Sequence, residues 1–113
     1  MEIKDLIESY NEYVNKVPTG AIYIANCLRE DKLNDALMAI KDFSEGVLWL
    51  TEANELMKKN GAMAELSIEQ IQEFLIEVNK GLEKQDYILV ADMFEYEIAT
   101  FFEAVAYAEG PVK

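Results

Sequence analysis

Histidine is absent from this sequence, so any chemistry it carries rests on carboxylates, lysines and hydroxyls. Ser-His-Asp and Cys-His catalysis, Glu-x-x-His di-metal sites and most zinc sites need an imidazole and are excluded. Cys27 is the only cysteine, and it falls beside an apolar seam with no base nearer than Arg29. It reads as a small buried hydrophobe rather than a nucleophile. The five glycines are isolated, so no phosphate-cradling loop is formed. What remains is two carboxylate pairs, Glu52-x-x-Glu55 and Asp92-x-x-Glu95. At i, i+3 on a helix both members share a side, and two such pairs on facing helices could hold Mg²⁺ through oxygen ligands alone. No other cofactor is expected. Glu97 stands apart, because Met93, Phe94, Ile98 and Phe101 surround it on a helical projection. It is expected to be a buried carboxylate, paired with Tyr10, Tyr13, Tyr23 or a lysine from a neighbouring helix.

These groups must be positioned by helices. Ile3, Ile7, Tyr10, Val14, Val17, Ala21, Ile24 and Leu28 alternate spacings of four and three, a heptad seam that keeps its phase through Pro18. The spacing predicts one helix over about 2–29, kinked where proline removes a donor, with Asp31 capping the next helix. A second helix is predicted over about 32–59, on a stripe including Leu33, Leu37, Ile40, Val47, Leu50 and Met57. Lys58 and Lys59 suit its C-terminal dipole and Gly61 its left-handed stop. Ser67, with Gln70 three residues on, opens a third helix over 67–83. Its seam is Ile68, Ile71, Leu75, Val78 and Leu82, and its other face carries Glu65, Glu69, Glu73 and Glu77. Such a ridge of like charges must be wet or meet cations.

The fourth helix is predicted over 86–109, capped by Asp86 and stopped by Gly110-Pro111. Residues 86–108 hold no Lys, Arg, Gly or Pro and are apolar around most of the helix. That pattern predicts a central segment on which the other three pack. Short turns at 30–31 and 83–85 make neighbours antiparallel. The expected fold is all-α: one domain, 1–113, an up-down four-helix bundle with a kinked first helix. The aromatic set on the last helix covers too many directions to be hidden entirely. Tyr87, Phe94, Tyr96 and Phe102 are therefore candidate partner-binding residues, and Trp49 of the second helix is a candidate anchor beside them.

The net charge of −12, from 22 acids against 10 bases, disfavours nucleic acid and anionic membranes. A basic segment of a protein, or self-association, suits it better. With one cysteine, no apolar N-terminal leader and no long uncharged apolar run, a cytoplasmic protein without a membrane span is expected.

Two stretches carry a resemblance. Glu45–Leu56 and Leu82–Glu103 are similar to the signature regions of a family of small acidic helical proteins from Gram-positive bacteria, approximately E-G-L-x-W-L and D-Y-x-L-L-A-D-x-L-E-Y-E. The matching residues are Glu45, Gly46, Trp49, Leu50, Asp86, Tyr87, Leu89, Ala91, Asp92, Glu95, Tyr96 and Glu97. The chain departs near Thr100, where that family tends to carry proline. The resemblance spans roughly residues 24–105 and implies a helical bundle of unknown function. The two carboxylate pairs are similar in outline to those of the all-α MazG-like nucleotide pyrophosphatases. The doubled Glu before the first pair is missing, and so is a cluster of basic residues for a triphosphate. A looser likeness is to the flagellin-export chaperones, also short acidic bundles, and fold analogy alone does not transfer function. The expected function is a non-enzymatic, chaperone-like interaction bundle. The alternative is a Mg²⁺-dependent nucleotide hydrolase using Glu52, Glu55, Asp92 and Glu95.

Overall fold

A computed structural model describes residues 2–110. Three long helices come first: α1 (Ile3–Arg29), α2 (Leu33–Lys59) and α3 (Ile68–Glu83). Each begins one residue later than its apolar period predicts. The fourth is built from α4 (Tyr87–Asp92), a π-helical turn (Met93–Ile98) and α5 (Ala99–Ala104). α1 runs unbroken through Pro18. The fold is an all-α four-helix bundle.

All three turns close in one way. Asp31, Gly61 and Gln85 take positive φ of 63°, 80° and 56°. The amide after each reaches back into the preceding helix: Lys32 to Cys27, Ala62 to Met57 and Asp86 to Gly81, each at 2.9 Å. This is the Schellman arrangement, which satisfies otherwise orphaned carbonyls. Asp31 therefore does not cap α2. It occupies the left-handed position, and Lys32 precedes the helix without a side-chain cap. Ser67 and Asp86 do cap, accepting from the amides of Gln70 and Leu89.

α1 packs closely along both α2 and the fourth helix, α3 packs on α4, and α2 approaches α3 only sparsely. The bundle is thus a square with one loose edge. Its core is bound across the diagonal by edge-to-face rings. Phe43 of α2 meets Phe94 at 5.2 Å and Phe102 at 6.4 Å, while Phe101 meets Phe102 at 5.0 Å and Phe74 of α3 at 5.4 Å. Such pairs contribute about 0.5–1.5 kcal/mol each beyond their burial.

Two expectations are corrected here. The fourth helix meets all three others, α1 and α3 as neighbours and α2 through Phe43, but it is one corner of the bundle and not an enclosed centre. Ile88, Leu89 and Tyr96 point to solvent even though the sequence is apolar in those directions. The helix also stops at Ala104, five residues short of its expected end. Val105 turns extended, with ψ 125°. Asn11 grips the chain beyond it, donating to the Ala108 carbonyl at 3.1 Å and accepting from its amide at 2.7 Å. Met63 and Glu109 then exchange both backbone hydrogen bonds, tying the α2–α3 loop to this strap. Those partners satisfy the backbone groups that a longer helix would have paired internally. Of the expected Gly110-Pro111 stop, Pro111 lies outside the described residues.

Candidate functional site

Between α1 and α2 lies a cavity of about 300 Å³. Tyr13 forms one wall because Gly46 lets it lie directly on α2. A Cβ at Gly46 would stand 1.6 Å from the Tyr13 hydroxyl oxygen. The Tyr13 ring also meets Trp49 edge-on at 6.2 Å. Burial raises the Tyr13 pKa, and the charge of Asp42 raises it further. Tyr23 and Phe43 line the cavity too, with Val17, Ile24 and Ala39. Gly20 keeps the mouth open, since nothing lies within 4 Å of where its Cβ would be. The Tyr23 pKa is raised too, chiefly by the adjoining Cys27 thiol and least by Asp35.

A second cluster joins α1 to the fourth helix. Arg29 Nη2 donates to Asp92 Oδ1 at 2.8 Å, and its Nη1 donates to Glu95 Oε1. The same guanidinium lies 6.0 Å from the centre of the Tyr96 ring. Hydrogen bonding to Arg29, and then to Tyr96, holds the Glu95 carboxyl below the usual range. Sequence reasoning missed this clamp. The available signal was that Arg29 is the only arginine in the chain, and arginine is the residue whose fork spans two carboxylates.

The third feature is the loose edge of the square. On α2, Leu37 and Leu48 are exposed and share a helical face with Glu55. Glu55, with Thr51, Glu52 and Leu56, lines a crevice against Ile68 of α3. Leu75, one heptad on from Ile68 and so on the same face of α3, is half-buried. Apolar side chains of both helices therefore stand open along the α2–α3 seam.

A family model described as a domain of unknown function, DUF8042, matches residues 5–106. The chain belongs to this family. No curated protein and no solved structure matches it.

Within this DUF8042 chain the candidate residues separate. Tyr96 is 63 % exposed, and Trp49 and Tyr87 are half-buried. Phe94 and Phe102 are buried and cannot face a partner. The reason is helical winding. Val90, Phe94, Ile98 and Phe102 recur every fourth residue, and an unbroken α-helix would swing that row by about 120° over its length. The π-helical turn winds less per residue and keeps the row pointed at Phe43. The same turn corrects Glu97, which is exposed rather than buried. It thus needs neither tyrosine nor lysine as a partner. The buried polar groups are instead Tyr10 and Asn54, whose hydroxyl and Oδ1 have no partner among the described residues.

The four-carboxylate Mg²⁺ site is also corrected. Asp92 and Glu95 are engaged by Arg29, whereas Glu52 and Glu55 line the α2–α3 crevice. Among the described residues no three acidic or cysteine side chains group so as to hold a metal ion. Likewise, among them no helix is long and apolar enough to cross a membrane.

Proposed function

We propose that this protein is a non-enzymatic interaction module that holds an amphipathic helix with a basic polar face along the α2–α3 seam, as a chaperone holds an apolar segment. The observation that carries the reading is the pairing of sparse α2–α3 packing with exposed Leu37, Leu48 and Leu56 on α2, beside half-buried Ile68 of α3. An apolar helix face laid into such a groove removes both surfaces from water. The charge of the occupant follows from its surroundings. Glu45 and Glu52 on α2, with Glu69, Glu73 and Glu77 on α3, are exposed in a chain of net charge −12. Acidic flanks of this kind favour a cationic partner and speed its encounter. A cytoplasmic setting, and the Gram-positive origin implied by the signature resemblance, belong to the same proposal.

The test is a calorimetric titration of the full chain with two Leu-rich amphipathic peptides of about 18 residues, five helical turns. One carries Lys on its polar face and the other Glu. The Lys peptide is expected to bind, the Glu peptide not, and Leu48→Lys should weaken binding at least about tenfold, or 1.4 kcal/mol. Equal binding of both peptides, or indifference to Leu48→Lys, overturns the proposal. So does sedimentation showing a dimer that Leu48→Lys dissociates, because a second copy would then fill the seam.

A further inference from the structure

We infer that the cavity between α1 and α2 is a binding site for an organic cation, the ammonium or guanidinium end of an alkyl chain. It lies on the α1-facing flank of α2, so its fate is independent of the seam.

Shape and lining give the first half of the argument. A volume of about 300 Å³ lies at the lower end of small-ligand sites, which are concave and mostly apolar with a few placed polar groups. Here Val17, Ile24 and Ala39 offer a surface for methylenes, and the rings of Tyr13, Tyr23 and Phe43 stand around it. Aromatic faces attract ammonium and guanidinium groups, and clustered rings are the usual means of holding them.

Charge gives the second half. Asp42 lines the cavity, and Asp35 lies near enough to Tyr23 to act on its ionisation. Both tyrosines have raised pKa values and stay neutral near pH 7, so the carboxylate charge is not joined by phenolate. An anionic guest would meet Asp42 inside an already negative field. The one cation on the wall is Lys16, which is exposed and pairs with no carboxylate among the described residues. Its own butylammonium chain competes for the same space, so removing its charge should favour an external cation.

Trp49 is the only tryptophan and touches Tyr13, so its fluorescence reports on the cavity. The experiment titrates the full chain with n-butylammonium chloride, butan-1-ol and sodium butyrate at constant ionic strength. The cation is expected to give a saturable change, with the alcohol about fivefold weaker, the scale of an exposed cation–π contact. Butyrate should give none. Asp42→Asn should weaken the cation by a similar factor, and Lys16→Gln should strengthen it. Gly20→Phe fills the mouth and should abolish binding while the melting temperature stays within a few degrees. Absence of saturable binding, equal response to all three probes, or unchanged binding in Asp42→Asn or Gly20→Phe overturns the inference. A Gly20→Phe chain that fails to fold leaves Asp42→Asn and the charge series to decide.

Discussion

Tyr10 is fully buried on α1, and its hydroxyl meets no hydrogen-bonding partner among the described residues. An unpaired buried hydroxyl costs about 1–3 kcal/mol. Tyr10→Phe keeps the ring and removes that cost, so it should stabilise the fold by about 1 kcal/mol in urea denaturation at pH 7. Burial also pushes the Tyr10 pKa up to about 12. The unfolded chain releases this proton near pH 10 while the folded chain keeps it. Stability from Tyr10 is therefore whole below about pH 10 and declines as pH rises toward 12. The advantage of the Phe variant should widen over that window, and a Phe variant less stable than the parent would contradict the account. The place of Tyr10 on the seam was legible from heptad spacing alone. That of Glu97 was not, because the projection assumed uniform winding and the π-helical turn rotates it outward.

At the scale of elements, helix bounds were readable and helix joints less so. Apolar period located α1, α2 and α3 closely, with the Ser67 cap added for α3, because a buried stripe leaves a periodic mark in sequence. The early end of the last helix left none, since it depends on Asn11, distant in sequence. Left-handed turn positions at Asp31 and Gln85 were equally hidden, for neither is glycine. A side chain there costs roughly 1–2 kcal/mol, less for Asp, which tolerates the conformation. Gln85→Gly should accordingly raise stability by about 1 kcal/mol and Asp31→Gly by less, both read from urea midpoints. The Arg29 clamp makes a second prediction at this scale. Glu95 has a lowered folded pKa, so its contribution is present above the unfolded carboxylate value of about 4.3 and is lost as pH falls below it. Glu95→Gln should lower the urea midpoint at pH 7, and the gap to the parent should close as pH falls toward 3. A gap independent of pH would show that the carboxylate charge is not what Arg29 holds.

Across the whole molecule, the fold class and the acidic field could be read from composition and periodicity, while the open edge could not. Leu37 and Leu48 look in sequence like any other core positions, and the sparse α2–α3 packing leaves them outside. The aromatic surplus assigned to the last helix proved mostly internal, with Phe94 and Phe102 spent on Phe43. In the proposed function the partner-facing apolar surface is accordingly the edge between the second and third helices rather than the fourth helix. Methyl NMR on the full chain, with Leu and Ile labelled, tests this most directly. On adding the Leu/Lys peptide, the methyl signals of Leu37, Leu48, Leu56 and Ile68 should move while those of Ile88 and Leu89 stay fixed. Shifts centred on Ile88 and Leu89, with the α2–α3 methyls unmoved, would contradict the account.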